Sequence, residues 1–221
     1  MEAIITKTLI AIPCMDTLHT AFADALLRMD KPPGTSVCFK PNSLIYDSRN
    51  LLSLTAIENN FDNVLWLDSD IIMPADTLVR MQQYATNGYN MVSGLYFKRT
   101  MPTAPVIFSR IDPPAPDENG HVTKHIDEYT NYPSNKLIPV AGCGFGCVMT
   151  TTTLLRKLWD EFFPPFAPYP WAGEDISFCH RVNLSGFKIY CDTSIRCSHI
   201  GTFAYTDQLY QQQGGDWNGQ K

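Results

Sequence analysis

The chain has 221 residues, a formal net charge of −5 and a hydrophobic content of 44%. This length is enough for one α/β domain with a sizeable buried core. The net negative charge and the scattered Lys and Arg residues argue against a nucleic-acid-binding surface. No apolar run approaches the length that is needed to cross a bilayer. We therefore expect a single domain without a nucleic-acid partner or a membrane span.

Seven cysteines are an odd number, and nothing in the sequence points to secretion. The apolar segment at residues 9–12 is typical of a strand and not of a signal peptide. The spacings from Cys143 to Cys147 and from Cys191 to Cys197 differ from the pairs that structural zinc sites use. We therefore expect reduced thiols that are buried as small apolar side chains, and a cytoplasmic location.

The first half of the chain alternates short apolar runs with helical patterns. Strands are predicted over residues 8–12, 36–39, 64–67 and 91–94, with Pro13 ending the first. Helices are predicted to begin near Asp16, Asp47 and Pro74 and to end near residues 29, 59–60 and 86. This β-α-β-α-β-α-β order is typical of a parallel sheet with helices on both faces.

The second half begins with a proline-rich segment over residues 100–139. We predict an antiparallel hairpin there, with residues 106–109 as one arm, lining one side of a cleft; a solvated insertion without a role is the alternative. Further strands are predicted over 139–149, 187–191 and 195–198, and helices over 150–159 and 174–184. We expect one domain over residues 1–210 and a flexible tail over residues 211–221.

Asp68, Ser69 and Asp70 directly follow the apolar run 64–67. Because this run has no polar alternation, it is typical of a strand buried on both faces of a parallel sheet. Such sheets present ligand sites at the carboxyl ends of their strands, and strand geometry puts Asp68 and Asp70 on one side with Ser69 turned away. Two carboxylates there suit Mg²⁺ or Mn²⁺ bound with substrate phosphates; a polar strand end that caps the next helix is the alternative.

A second group of polar residues lies near the end of the chain. Glu174 and Asp175 open a predicted helix, where the macrodipole favours carboxylates, so capping alone could explain them. His199 ends a later strand, and a lone histidine is more often structural than a ligand. The order of the motifs (Asp-x-Asp, Gly-Glu-Asp before a helix, then a strand ending in His) favours a functional site.

This ordered combination resembles the GT-A nucleotide-sugar glycosyltransferases, in particular family 2-like members. The resemblance spans residues 8–205, and the matching segments are 10–13, 48–50, 64–70, 141–146, 173–175 and 198–199. Residues 92–99 also resemble the segment after Asp-x-Asp in some fungal-type mannosyltransferases. The resemblance implies a single α/β GT-A (Rossmann-like) domain with a mostly parallel central sheet, helices on both faces and a small antiparallel excursion. Residues 1–99 would bind the nucleotide-sugar and residues 100–210 the acceptor.

The resemblance also implies roles for individual residues. Asp68 and Asp70 would coordinate Mn²⁺ or Mg²⁺ on the donor diphosphate, with His199 as a further ligand. Asp175 would be the general base of an inverting reaction, supported by Glu174. The other donor-binding positions that it implies are Pro13, Asp16, Arg49, Ser69, Gly142 and Gly144, where the two glycines would let the backbone approach the sugar.

The implied reaction moves a sugar from a nucleoside-diphosphate sugar, such as a UDP or GDP sugar, to a hydroxyl of a glycan, protein or small-molecule acceptor. If the reaction retains configuration, Asp175 would orient the acceptor instead of acting as base. Its place at a helix start is expected to lower its pKa, whereas burial beside Trp171 and Glu174 would act against this. Trp171, Tyr169 and Phe166 either stack on a sugar ring or form core.

Three other interpretations share parts of the pattern. A haloacid-dehalogenase-like phosphatase also carries Asp-x-Asp after a strand, but Ile72 stands where Thr or Val normally follows. A sugar nucleotidyltransferase needs a Gly-rich, Arg-containing loop after the first strand, and residues 12–16 lack it. A non-catalytic GT-A-shaped module that binds a glycan or nucleotide would be favoured by loss of the acidic residues, which are present here. Residues 14–16 also depart from the polar run usual in the glycosyltransferases, so the nucleotide, the stereochemistry and the oligomeric state stay open.

Overall fold

A computed structural model of the chain describes residues 6–201. The flexible tail that we predict over residues 211–221 lies outside this range. The strands are β1 Thr8–Cys14, β2 Thr35–Pro41, β3 Asn63–Leu67, β4 Ile71–Ile72, β5 Met91–Leu95, β6 Ile107–Pro116, β7 Val122–Glu128, β8 Leu137–Val140, β9 Gly142–Cys143, β10 Cys147–Thr151, β11 Ile189–Arg196 and β12 Ser198–His199. The helices are α1 Thr20–Arg28, α2 Ile45–Glu58, α3 Thr77–Thr86, α4 Thr152–Glu161 and α5 Glu174–Leu184.

The central sheet has seven strands in the order β2-β1-β3-β10-β5-β11-β8. Strands β2, β1, β3, β5 and β11 run in one direction, and β10 and β8 run in the other. The prediction of a mostly parallel sheet is therefore confirmed. The sequence pattern did not reveal that β10 inserts antiparallel between β3 and β5. All five residues of β3 are buried, as its unbroken apolar run predicts.

Helices cover both faces of the central sheet, as predicted. One core lies under α2, α4 and α5 and contains an aromatic group made by Trp66, Phe145, Phe166 and Phe178. The other core lies under α1 and α3 and is built around Ile10, Phe22 and Leu65. Burial of these apolar side chains on two faces is what fixes the sheet as the middle layer of the domain.

Two short sheets extend the central one. Strands β7 and β6 from the proline-rich segment form an antiparallel sheet with β9, which confirms the predicted hairpin; its first arm overlaps the start of β6. Strands β4 and β12 pair antiparallel and bring the segment after Asp70 beside His199. This second pairing builds the site described below.

Several predicted element boundaries are wrong. Strand β1 continues through Pro13. Strand β3 pairs with residues 8–11 of β1, so beyond residue 11 only β2 is paired with β1. The backbone N–H that proline lacks is not needed for a second pairing at that position. Helix α1 then begins at Thr20 and makes no side-chain cap, so Asp16 is not its cap. Helix α2 begins at Ile45, before Asp47. The predicted strands at 187–191 and 195–198 merge into β11 followed by β12.

Candidate active site

A cleft of about 460 Å³ opens at the carboxyl ends of β1 and β3, beside the start of α2. This is where open α/β sheets bind their ligands. The cleft combines acidic and basic side chains with apolar ones. Its lining residues are Pro13, Cys14, Met15, Ser43, Leu44, Ile45, Ser48, Asp68, Ser69, Asp70, Arg99 and His199.

Asp70 and His199 meet in this cleft although they are far apart in sequence. The β4–β12 pairing aligns His199 with Ile71, and the backbone N–H of Ile200 donates to the carbonyl of Asp70 at 2.8 Å. The Nε2 atom of His199 lies 3.5 Å from Oδ1 of Asp70. On the other side of the ring, Nδ1 lies 2.9 Å from the backbone carbonyl of Phe97. Backbone pairing thus fixes both the position and the orientation of the imidazole.

The same contacts shift the pKa values of both groups. The carboxylate of Asp70 and the carbonyl of Phe97 raise the pKa of His199 against the opposing effect of burial. Burial alone would raise the pKa of Asp70, but the hydrogen bond and charge of His199, together with the charge of Arg99, hold it below its usual value. Asp70 is therefore an ionised carboxylate at neutral pH.

Asp70 and His199 are chemically suited to a divalent cation. An imidazole whose Nδ1–H is donated to a carbonyl keeps the lone pair of Nε2 for a metal, an arrangement common in metal sites. The ionised carboxylate of Asp70 stands next to that nitrogen. Within residues 6–201, however, no group of three or more His, Cys, Asp or Glu side chains is arranged to hold a metal ion. All three predicted ligands line the cleft, but only Asp70 and His199 are in direct contact, because Asp68 is bonded to Arg49.

Asp68 has a different partner from Asp70. Its Oδ1 accepts a hydrogen bond of 2.8 Å from Nη2 of Arg49, whose Nη1 donates to Oε1 of Glu174. Arg49 is only 2% exposed, and its guanidinium lies 5.0 Å from the centre of the Phe145 ring. Its Nε has no hydrogen-bond partner among the described residues. Arg49 is thus a buried link between the first and second acidic motifs rather than a residue that lines the cleft.

Asp175 has a strongly perturbed pKa. Burial, followed by the charge of Glu174, raises the pKa of this carboxyl from 3.8 to about 6, while Arg49 acts in the opposite direction. The helix start was expected to lower this pKa. Burial outweighs the helix dipole here, because a desolvated carboxylate beside a second carboxylate is costly. A carboxyl with a pKa near the working pH is suited to accept and release a proton.

Some of the remaining predicted site residues line the cleft, and others lie outside it. Pro13 and Ser69 line the cleft, although strand geometry predicted that Ser69 would be turned away from it, whereas Asp16 is exposed and does not line it. Gly142 and Gly144 lie in the interior. A Cβ on Gly142 would come within 2.2 Å of Ile111, and one on Gly144 within 2.0 Å of the Tyr96 hydroxyl. Close packing is therefore sufficient to account for these two glycines.

Sequence reasoning missed several residues of the cleft. Arg99 donates from Nη1 to Oδ2 of Asp70 at 2.7 Å, and Ser48 contributes a hydroxyl that is buried without a hydrogen-bond partner among the described residues. Both belong to segments that carried the resemblance, but no spacing singles out either side chain. Their placement depends on the folding of β5 and α2 around Asp70.

The aromatic residues near Glu174 divide into two groups. Phe166 is fully buried and stacks on Phe178 with ring centres 4.2 Å apart, so it is core. Tyr169 and Trp171 stack on each other at 5.5 Å and are only partly buried. These two rings remain available for contact with a ligand.

Comparison with known proteins shows the fold but no sequence family. No protein-family profile and no curated protein sequence matches the chain. The structure of A197 from STIV superposes with a TM-score of 0.65 at 18% identity, covering 89% of this chain and 86% of A197. The structure of GalNAc-T7 with UDP, GalNAc and Mn²⁺ superposes with a TM-score of 0.59 at 9% identity, covering 90% of this chain and 45% of GalNAc-T7.

These neighbours define the fold as GT-A-like, since GalNAc-T7 is a GT-A glycosyltransferase. Sequence identities this low establish the fold alone. The expected fold class, a single Rossmann-like α/β domain, is thereby confirmed. No helix within residues 6–201 is both long and apolar enough to cross a membrane.

Proposed function

We propose that this protein is a metal-dependent glycosyltransferase that moves a sugar from a nucleoside-diphosphate sugar to an acceptor hydroxyl. The observation that carries the proposal is the Asp70–His199 pair in the cleft, with Nε2 and Oδ1 3.5 Å apart and Nδ1 held by the Phe97 carbonyl. The GT-A-like fold supports it, because this cleft corresponds to the ligand-binding edge of the sheet. All seven cysteines are free thiols, which fits the proposed cytoplasmic location.

The proposed metal is Mn²⁺ or Mg²⁺, bound by Asp70 and His199 with Asp68 beside them. Such a cation would supply positive charge to the diphosphate as it leaves. Arg49 keeps Asp68 in place from the interior and holds Glu174 with its other nitrogen. Pro13 and Ser69 would contact the nucleotide from the wall of the cleft. Asp16 is exposed outside the cleft and the two glycines, Gly142 and Gly144, are packed in the interior, so we assign them no contact with the donor.

The proposed transfer has a defined balance of bonds and protons. The bond between the anomeric carbon and the diphosphate oxygen breaks, and its electron pair stays with the diphosphate. The acceptor oxygen forms the new bond to the same carbon, and its proton passes to Asp175. The raised pKa of Asp175, about 6, fits this role in an inverting reaction. The β6–β7 hairpin in the second half of the chain would bind the glycan, protein or small-molecule acceptor.

The structure gives less support to the other interpretations. In a haloacid-dehalogenase-like phosphatase, Asp68 would have to be a free nucleophile, but its Oδ1 is bonded to Arg49 at 2.8 Å. A non-catalytic module would have the same cleft, so only a measurement of turnover distinguishes it from a glycosyltransferase.

Calorimetric binding of UDP, GDP, CDP and ADP, each with Mn²⁺ and with EDTA, tests the proposal. UDP with Mn²⁺ is the first pair, because both were present in the GalNAc-T7 structure. We expect one nucleotide to bind only with the metal, and its sugar donor to be slowly hydrolysed. Binding without any hydrolysis or transfer would favour the non-catalytic module. Absence of binding by all four nucleotides would contradict the proposed function.

A further inference from the structure

We propose that Arg99 is a further catalytic residue, the side-chain cation that donates hydrogen bonds to the donor diphosphate and stabilises it as it leaves. This inference rests on the proposed glycosyltransferase function. It assigns a role to a residue that the sequence pattern did not single out, and it concerns the chain's own contribution to neutralising the diphosphate.

Arg99 reaches the cleft from the connection between β5 and β6. Its guanidinium lines the cleft together with Asp70 and His199. Nη1 donates to Oδ2 of Asp70 at 2.7 Å and lies 3.5 Å from the carbonyl of Ile200. The side chain is 52% exposed. Arg99 is therefore a solvent-accessible cation in contact with the carboxylate that we assign to the metal site.

The guanidinium has unused hydrogen-bonding capacity. Arginine carries five N–H donors in a planar fork, and those of Arg99 that are bonded within residues 6–201 belong to Nη1 alone. The donors of Nε and Nη2 have no partner in this part of the chain. A planar fork with several unused donors matches the paired oxygens of a diphosphate better than a point charge does.

The position of Arg99 is fixed without a bound ligand. A Cβ on Gly201 would lie 3.3–3.5 Å from the Cδ, Cγ and Cβ atoms of Arg99, so the chain after β12 packs along the arginine stem. Asp70 holds the other end of the side chain. The neighbouring Lys98 is instead paired with Glu128 of β7 and is directed to the hairpin. Arg99 is thus the preorganised basic side chain at this end of the cleft.

Preorganised positive charge is most effective where negative charge develops. When the bond to the anomeric carbon breaks, its electron pair remains on the diphosphate, and hydrogen bonds from Arg99 strengthen as that charge grows. Arginine stays protonated throughout the accessible pH range, so this contribution needs no proton transfer. Loss of the guanidinium should consequently lower both nucleotide affinity and the rate of sugar transfer.

The test compares Arg99→Met and Arg99→Lys with Arg28→Met as the matched control. Arg28 is 75% exposed, pairs with Asp24 on α1 and does not line the cleft. Binding of the nucleoside diphosphate selected by the calorimetric panel is measured with Mn²⁺, and binding of the corresponding nucleoside by ligand-observed NMR. Because one charge-assisted hydrogen-bonding group is lost, we expect diphosphate affinity to fall about 10- to 100-fold in Arg99→Met, with nucleoside binding unchanged. Arg99→Lys should lose less, and Arg28→Met should lose no affinity.

The outcomes separate this inference from the proposed function. If the wild-type protein binds a nucleoside diphosphate and Arg99→Met binds it equally well, the role of Arg99 is wrong and the proposed function stands. If the wild-type protein binds none of the four nucleotides, the proposed function fails and the role of Arg99 with it. Melting temperatures check folding; should Arg99→Met unfold early, Arg99→Gln carries the comparison, and wild-type affinity in that variant would overturn the inference.

Discussion

Arg49 donates a hydrogen bond from Nη1 to Glu174, a residue 125 positions later in the chain, while its Nη2 holds Asp68 at 2.8 Å. The two acidic motifs are therefore joined through one buried guanidinium. This contact couples α2, the end of β3 and the start of α5. Since Glu174 neighbours Asp175, the pair links the proposed metal site to the proposed general base.

Removing Arg49 should destabilise the fold. The Arg49→Met variant leaves two carboxylates, with side chains 31% and 19% exposed, without their cation. We expect the free energy of unfolding to fall by about 2–4 kcal/mol, because uncompensated buried charge is costly. Urea denaturation measures this loss. Arg49→Lys should recover part of it, since an ammonium keeps the charge but cannot fork to both carboxylates.

Arg28→Met is the matched control for Arg49. Arg28 also pairs with a carboxylate, Asp24, but the two side chains are 75% and 58% exposed. An exposed pair of this kind contributes about 0–1 kcal/mol. Equal losses of unfolding free energy in the two variants would show that the buried Arg49 contacts stabilise the fold no more than an exposed ion pair does.

Gly144→Ala should disturb packing and not donor binding as such. The added Cβ would lie 2.0 Å from the hydroxyl oxygen of Tyr96 and 2.7 Å from Val106. Tyr96 is only 5% exposed, so it cannot move away easily. We expect a loss of about 1–3 kcal/mol in the free energy of unfolding, as is typical of an overpacked core.

The double variant Gly144→Ala/Tyr96→Phe provides the rescue for that prediction. It removes the closest contact, at the cost of the hydrogen bond from the Gly146 N–H to Tyr96. Partial recovery of stability would confirm that packing explains the glycine. Normal stability of Gly144→Ala together with lost donor affinity would instead restore the role in sugar approach that the resemblance implied.

The sequence predicted those parts of the fold that depend on local patterns. The apolar run of β3 and the polar residues after it placed Asp68 and Asp70 correctly at a strand end, because burial of a strand is visible in consecutive residues. The three helices of the first half were found near their true positions for the same reason. The exact starts of α1 and α2 depended on how far β1 and β2 stay paired, which no short segment encodes.

The features that were missed depend on distant partners. The sequence predicted a polar break between two strands at residues 192–194. In the structure, Asp192 is only 1% exposed and lies within the continuous strand β11. Its charge is compensated by Nη2 of Arg80 at 2.8 Å, from a helix 112 positions earlier. In the same way, the pairing of Asp68 with Arg49 and of Asp70 with Arg99 could not be read from spacing. These ion pairs exist only once the sheet order has brought separate segments together.

Asp70→Ala should abolish metal-dependent nucleotide binding while the fold stays intact. Asp70 interacts with His199 and with Arg99, which are partly exposed at the cleft, so its loss leaves no buried charge uncompensated. Calorimetry with Mn²⁺ and with EDTA should give the same weak binding for this variant. Asp160→Ala, which removes an exposed carboxylate on α4 outside the cleft, is the control and should behave as wild type.

Asp68→Asn separates the two carboxylates of the motif. Because Asp68 is bonded to Arg49, this variant should lose stability as well as nucleotide affinity, whereas Asp70→Ala should lose affinity alone. Full metal-dependent binding in Asp70→Ala would remove Asp70 from the metal site. An unchanged free energy of unfolding in Asp68→Asn would show that the Arg49 contact contributes little to the fold.

The raised pKa of Asp175 predicts how stability changes with pH. Burial raises this pKa from 3.8 to about 6, so between these values the folded state binds a proton that the unfolded state has released. The stabilisation from this group is therefore fully present below about pH 4 and is lost as the pH rises through about 6, by roughly 3 kcal/mol in all. Asp175→Asn removes the ionisable group, so its free energy of unfolding should lack this decline.

The same group predicts the pH dependence of catalysis. A general base must be ionised, so kcat/KM should rise with pH and level off above a pKa of about 6. Asp175→Asn should bind the nucleotide with wild-type affinity, lose most sugar transfer and lose the acidic limb of the profile. Glu174→Gln is the comparison, because it weakens the neighbouring charge that helps to raise the pKa and should move the limb to lower pH. Unchanged turnover in Asp175→Asn would exclude this carboxylate as the base. If acceptor affinity falls in the same variant, the result favours the retaining alternative, in which Asp175 orients the acceptor.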